Sequence, residues 1–308
     1  MKLLKLGAIL FMAVALSCGQ PKDARQPIID VHLHSESLQD LKSGGPNPVT
    51  GKEAPESVQE HIARTLAEMS RYNIVLGLVW GSLEEVEEFV RSAPDRFWAG
   101  LYHGIPGLDV GSLRSLYASG QLRVMGEVGA QYDGLSPSDQ ILDPYFALAE
   151  SLDAPACVHM GMSFPGITQI APKFRVSLGN PLLLEKMLNL HPKLRVWIAH
   201  MGFPYLEETI GILNVYPQVY TDTSAIDWLE PGFRSYLKNL IDYGLAERIM
   251  FGSDQMTWPE GIGLAVEAIE KADFLNAGQK RDILYNNAAR FLRLSPEQIA
   301  KHHQDTKR

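Results

Sequence analysis

Pro27-Ile28-Ile29-Asp30-Val31-His32-Leu33-His34 is the stretch on which the reading of this chain turns. Apolar Ile29, Val31 and Leu33 alternate with Asp30, His32 and His34, which predicts a short strand. A strand repeats every two residues, so the polar three should share one face. Two imidazoles one pleat apart can close on a single metal ion, and an aspartate one step below can orient one of them. Alone, a His-x-His on a strand is more often a polar surface face. The site therefore depends on ligands that the rest of the chain brings to the same place.

Outward from this strand, strand-like and helix-like runs alternate to the end of the chain. Further strands are expected at Ile74–Trp80, Phe97–Tyr102, Arg123–Val128, Pro155–His159, Leu194–His200, Val219–Thr223 and Arg248–Ser253. Helical spacing follows them at Pro55–Arg71, Leu83–Ala93, Leu113–Ser119, Pro144–Leu152, Pro181–Leu190, Tyr205–Val215, Phe233–Tyr243, Ile262–Asp273 and Gln279–Leu292. Several of these strands are continuous apolar runs, as in parallel strands buried on both faces. Eight such units predict a single-domain (β/α)8 TIM barrel over residues 27–294. An open doubly wound sheet is the alternative, and the lack of a Gly-x-Gly-x-x-Gly turn after an early strand counts against its dinucleotide-binding form. Ser43–Gly51 reads as a Gly/Pro-rich loop, and residues 295–308 as a polar, frayed tail.

Composition sets outer limits. The 308 residues are 45% hydrophobic and 21% charged, enough for one large core. A formal net charge of −8 argues against nucleic acid as a partner, because phosphate binding needs a basic face. With two cysteines there is no disulfide framework, and Cys157 reads as a buried free thiol in an apolar strand. Lys2 and Lys5 precede an apolar run from Leu6 to Leu16, the layout of a signal peptide over residues 1–17. The run ends in Ala15-Leu16-Ser17-Cys18-Gly19, which resembles a bacterial lipobox with Cys18 as the lipidated residue. Leu16 departs from the small or hydroxyl residue usual there. Residues 18–26 then form a polar tether, and the expected location is the cell envelope, anchored to a membrane by lipid.

A TIM barrel carries its active site at the C-terminal ends of its strands. Polar residues fall there repeatedly: His32 and His34 on the first strand, Glu127 on the fourth, His159 on the fifth, His200 on the sixth and Asp254 after the eighth. Asp222 and Ser224 lie on the seventh. Any one of them has an ordinary reading as a turn carboxylate, a core histidine or a helix cap. All of them together is another matter, since buried charge is costly unless paired or metal-bound. His103, closing the third strand, is a substrate-side candidate, whereas His61, His191, His302 and His303 read as structural or surface histidines.

Taken together, Ile29–His34, Gly126–Gly129, Val158–Gly161, Leu194–Gly202, Val219–Ser224, Phe251–Asp254 and Asn286–Leu292 resemble the amidohydrolase superfamily, and within it the amidohydrolase-related group of decarboxylases and lactone hydrolases. The resemblance implies that His32, His34, His159 and Asp254 bind a divalent metal, usually Zn2+, with His200 beside it as acid/base. Asp254 would also accept the proton of the water. A strand-four glutamate such as Glu127 is a ligand in relatives of the TatD kind, which hold two metals, so Glu127 is a candidate fifth ligand. No lysine stands at the end of strand four to form a carboxylated bridge. A metal held this way lowers the pKa of bound water from about 15.7 toward ~7.

The expected function is a metal-dependent hydrolase acting on a small organic molecule through an amide, ester or lactone bond. The alternatives are a non-oxidative decarboxylase on the same residues, a TatD-like phosphodiesterase, which the acidic charge disfavours, and a binding lipoprotein without catalysis. Arg175, with Phe164 and Phe174 in the loop Met162–Gly179, and Trp258 after the eighth strand are candidates for lining the substrate pocket.

Overall fold

The computed structural model describes residues 25–101 and 109–305. Cys18, the signal-like segment and His103 lie outside the described residues. Eight parallel strands run in chain order: β1 (Ile28–His34), β2 (Ile74–Gly81), β3 (Phe97–Leu101), β4 (Met125–Val128), β5 (Ala156–Val158), β6 (Val196–Ile198), β7 (Val219–Asp222) and β8 (Ile249–Met250). Ladders join β1–β2–β3 and β4 through β8. Hydrogen bonds close the two seams: the N–H groups of Arg123 and Val124 donate to Ala99 O at 3.0 and 3.4 Å, and that of Val31 donates to Phe251 O at 2.9 Å. The result is the expected barrel. Gly252 sits at the second seam, where a Cβ would lie 2.8 Å from that of His32. Only glycine lets the end of β8 pass so close to β1.

Helices form where the sequence supplies both an apolar stripe and a cap. In Val58–Arg71 the buried side is Ile62, Thr65 and Met69, and the Ser57 side chain accepts from Glu60 N. Leu83–Ser92 begins with a capping box made by Ser82 and Glu85. A large apolar layer packs these helices on the outside of the strands. A second cluster fills the barrel itself, with Ile29, Val31, Leu78, Trp80 and Trp197 above Tyr285 and Phe291 of the closing helical segment. Trp80 and Trp197 meet at 5.7 Å, and His32 stands edge-on to Trp80 at 6.1 Å.

Two expectations need correction, and a helix stands beside a third. Strand β1 does not keep a two-residue period: its pairing with β2 shifts between Asp30 and Leu33. Ile29 and Val31 therefore belong to the cluster inside the barrel and Leu33 to the outer layer, although His32 and His34 also face the pocket. The loop expected at Ser43–Gly51 is preceded by a helix, Leu38–Gly44, with a Ser37/Asp40 capping box, which overlaps it at Ser43 and Gly44 alone. The tail is not frayed through Asp305, because Pro296–Asp305 is helical, Ile299 packs on the inner cluster and His302 Nδ1 lies 3.0 Å from Tyr285 Oη. Its polarity reflects a helix with one narrow half-buried edge, at Gln298, Ile299 and His302.

Candidate metal centre

His32, His34, Glu127, His159, His200 and Asp254 converge at the C-terminal mouth of the barrel, each no more than 7% exposed. Backbone placement comes from the strand ends. Asp254 N–H donates to His32 O at 2.8 Å and His159 N–H to Val128 O at 3.0 Å, which ties each loop to its neighbouring strand. His200, Met201, Asp254 and Met256 hold positive φ of 57°, 54°, 48° and 47°. Non-glycine residues there carry strain, and such strain gathers at functional sites.

Glu127 is the hub. Its Oε1 lies 2.7 Å from His159 Nδ1 and 3.1 Å from His200 Nε2, and its Oε2 lies 3.4 Å from His32 Nε2 and 3.7 Å from His34 Nε2. His159 Nδ1 and His200 Nε2 are themselves 3.0 Å apart. On the other side, His34 Nε2 is 3.3 Å from His32 Nε2 and 3.1 Å from Asp254 Oδ1. His200 thus stands against His159 and Glu127, inside the cluster.

For three of the imidazoles the nitrogen turned away from the cluster is held. Asp222 Oδ2 takes His32 Nδ1 at 3.0 Å, Ser224 Oγ lies 2.9 Å from His200 Nδ1, and Tyr132 Oη lies 3.3 Å from His159 Nε2. A proton fixed on the far nitrogen leaves the near one as a lone pair aimed inward, as in carboxylate–histidine–metal arrangements. Asp222 organises more than one ring: it also accepts from Trp197 Nε1 at 3.1 Å and from the backbone N–H of His200 at 2.9 Å. Gln255 clasps the backbone of His34 from both sides, accepting its N–H at 3.0 Å and donating to its carbonyl at 2.7 Å.

The donor set fits a divalent cation. Metal–ligand bonds of about 2.0–2.2 Å put neighbouring donor atoms roughly 3.0–3.5 Å apart, the spacing seen among His32, His34 and Asp254. Asp254 Oδ1 is a buried anionic oxygen beside imidazole nitrogens, with His34 Nε2 3.1 Å away. Among the described residues His32, His34 and Asp254 form one group with metal-ligand spacing, and His32, Glu127 and His200 another. Burial opposes ionisation throughout, yet the carboxylates win over it: Glu127, Asp222 and Asp254 raise His32 well above the ordinary imidazole value. Burial likewise resists the ionised form of Asp254, but His34 and His32 bring its pKa down to about 2. Burial also opposes ionisation of Glu127, and the His32 and His159 charges hold its pKa well below the usual range. For His159 burial prevails, and its pKa falls despite Glu127. The pocket stabilises positive charge among ionised carboxylates.

Other expected participants stand elsewhere. Asp30 does not orient an imidazole; its Oδ1 accepts the backbone N–H groups of His32 and Ser253, each at 3.0 Å. The shifted register of β1 turns it toward β8. Arg175 is exposed and its Nη1 donates to Pro172 O and Phe174 O, so its guanidinium braces its own loop. Trp258 Nε1 donates to Gly45 O at 3.0 Å, pinning the loop after β1. Sequence reading gave Asp222 a place at the strand end but no role, and did not single out Tyr132 or Gln255. For Asp222 the signal was a buried-strand aspartate followed by Thr223-Ser224; Tyr132 and Gln255 gave none.

The amidohydrolase family model matches residues 29–294. No curated relative matches the chain by sequence. Among solved structures, an uncharacterised TIM-barrel protein from Bordetella bronchiseptica is similar at a TM-score of 0.66 and 17% identity, covering 87% of this chain and 98% of its own. A probable 2-pyrone-4,6-dicarboxylic acid hydrolase from Acinetobacter baumannii, with citric acid bound, gives a TM-score of 0.64 at 17% identity over 87% of this chain and 99% of that one. A dihydroxybenzoic acid decarboxylase from a Polaromonas species, with bound manganese and 2-nitroresorcinol, gives 0.62 at 15% identity over 89% and 99%. At such identities the likeness shows the TIM-barrel fold.

Proposed function

Because the chain belongs to the amidohydrolase family and is therefore an enzyme, we propose that it is a metal-dependent hydrolase of a small ester, lactone or amide. The observation that carries this reading is the inward aim of the near nitrogens of His32, His159 and His200, with buried Asp254 Oδ1 beside His34 Nε2. In this reading His32, His34, His159 and Asp254 hold the ion, Zn2+ in the first instance, and Glu127 lies close enough to join them. A divalent cation there supplies Lewis acidity and a water nucleophile near neutral pH. The chain's own residues do the rest. Asp222, Ser224 and Tyr132 fix the tautomers of His32, His200 and His159. Asp254 accepts the proton of the attacking water, and His200, whose inward Nε2 carries a lone pair, takes that proton up and passes it to the leaving group.

The solved neighbour named as a pyrone dicarboxylic acid hydrolase supports a lactone. The manganese-containing decarboxylase of the same fold supports loss of carbon dioxide as the second reading. To separate them, protein stripped by chelator and reloaded with Zn2+ or Mn2+ is assayed on lactones, aryl esters, amides and hydroxybenzoates, with acid release and carbon dioxide followed separately. Metal-restored acid release supports the hydrolase; carbon dioxide alone would transfer the reading to a decarboxylase. No turnover with any loaded metal on the whole panel would remove it. We further propose, from the N-terminal pattern alone, that the chain is exported and lipid-anchored at Cys18. Cys18→Ala should then move it from the membrane to the soluble fraction.

A further inference from the structure

The opposite end of the barrel holds a cavity of about 720 Å³ that the chemistry above does not use. It lies where β5, β6 and β7 begin, beside Asp153, Arg195 and Gln218, and the end of the closing helical segment supplies Arg290 and Phe291 as its other side. Four cationic side chains, Lys193, Arg195, Arg290 and Arg293, line it against two carboxylates, Glu150 and Asp153. That leaves a surplus of two positive charges in one recess of a chain whose formal net charge is −8.

The carboxylates are already engaged. Asp153 takes Arg195 Nε at 3.2 Å and Arg293 Nη1, while Glu150 accepts the backbone N–H of Lys193 at 2.7 Å. Every nitrogen of Arg195 is engaged, since its other two donate to Phe291 O and Asp153 O. Arg290 is not: Nε donates to Tyr220 Oη at 3.2 Å and Nη2 to Glu247 O and Asn287 Oδ1, which leaves Nη1 open. Arg293 Nη2 and the Lys193 ammonium likewise have no partner among the described residues. Guanidinium donors held by other bonds are pre-organised, and with an ammonium they match a tetrahedral oxyanion. Tyr220 and Phe291, with rings 4.8 Å apart, give the recess an apolar wall larger than a bare anion needs.

We propose that this recess binds the phosphate group of a small organic phosphate. A dianion matches the surplus charge, and the aromatic wall takes the organic part. The same phosphate monoester is presented by a soluble organic phosphate and by the headgroup of phosphatidic acid. Calorimetry on the full chain with glycerol phosphate should show binding that weakens with salt. Arg290→Ala and Lys193→Ala should each reduce affinity by about tenfold or more. Lys193 makes no side-chain bond that the fold uses, so its variant keeps the test open if Arg290→Ala misfolds. His34→Ala should bind glycerol phosphate like the parent, which makes the result independent of the metal centre. Displacement of glycerol phosphate by vesicles containing phosphatidic acid, and not by phosphatidylcholine vesicles, would assign the site to a headgroup; failure of both to displace it would assign a soluble ligand. Absence of binding at millimolar glycerol phosphate, parental affinity in Lys193→Ala, or loss of binding in His34→Ala would overturn the proposal.

Discussion

Asp222→Asn is the sharpest perturbation of the metal centre, because it keeps the shape and reverses the hydrogen-bond logic. Asp222 Oδ2 accepts from His32 Nδ1 at 3.0 Å and Trp197 Nε1 at 3.1 Å, and Oδ1 accepts from His200 N at 2.9 Å, Ser224 N at 3.3 Å and Ser224 Oγ at 2.6 Å. An amide must place its NH2 against one of these sets. Toward Oδ1 it faces two backbone N–H groups, which cannot turn away. Toward Oδ2 it faces Trp197, a donor only, and His32, which can exchange tautomers. The second arrangement orphans one buried donor, at a cost of about 1–3 kcal/mol. It also moves the His32 proton to Nε2, where the lone pair for the metal had been. Metal affinity should fall roughly 10–100-fold, as for other lost carboxylate partners of ligand histidines. Competition against a chromogenic chelator measures the affinity, and urea unfolding of chelated protein measures the stability. Trp197→Phe is the control: it removes the same donor without touching His32, so it should cost stability and spare the metal. Asp222→Asn protein that holds metal within about threefold of the parent would refute the tautomer argument.

The ligand roles separate by metal content. His32→Ala should lose metal and activity together, whereas His200→Ala should keep the metal and lose about 10²–10⁴-fold in rate; an emptied site in His200→Ala makes it a ligand. Elemental analysis should give about one ion per chain, and two ions, one of them lost in Glu127→Ala, would show that Glu127 divides its oxygens between two metals. His61 is buried with Nε2 2.8 Å from Met256 O, and burial lowers its pKa from 6.5 to about 4. The unfolded chain then binds the extra proton between those values, so about 3 kcal/mol of stability is present above pH 6.5 and lost as pH falls through 4. Urea unfolding at pH 7 and pH 5 should show a smaller pH dependence in His61→Gln; an unchanged dependence would mean that His61 is charged in the fold.

Much of the molecule could be read in the chain itself, because the relevant signals are local. Strand-like runs such as Ile74–Trp80 and Leu194–His200 marked the strands, observed at Ile74–Gly81 and Val196–Ile198, and their alternation with helical spacing marked the barrel. The barrel rule then placed His32, Glu127, His159, His200 and Asp254 at one mouth, since all end parallel strands. Where local signals misled, a long-range contact had intervened. Pairing with β2 shifts the register of β1 and turns Asp30 toward β8, and packing on the inner cluster makes a helix of the polar residues Pro296–Asp305.

What the sequence by itself determined was the set of side chains and the end of the barrel at which they gather, because strand order and strand direction follow from patterning. Only the tertiary structure decided their relations. It put Glu127 between two imidazole pairs, gave Asp222 the tautomer of His32, and withdrew Arg175 into bracing its own loop and Trp258 into pinning the loop after β1. It also built a cationic recess from Lys193, Arg195, Arg290 and Arg293, two pairs nearly a hundred residues apart. The reason is physical: hydrogen-bond partnership and charge proximity act between atoms a few ångströms apart, and closure of the barrel sets those distances without regard to separation along the chain.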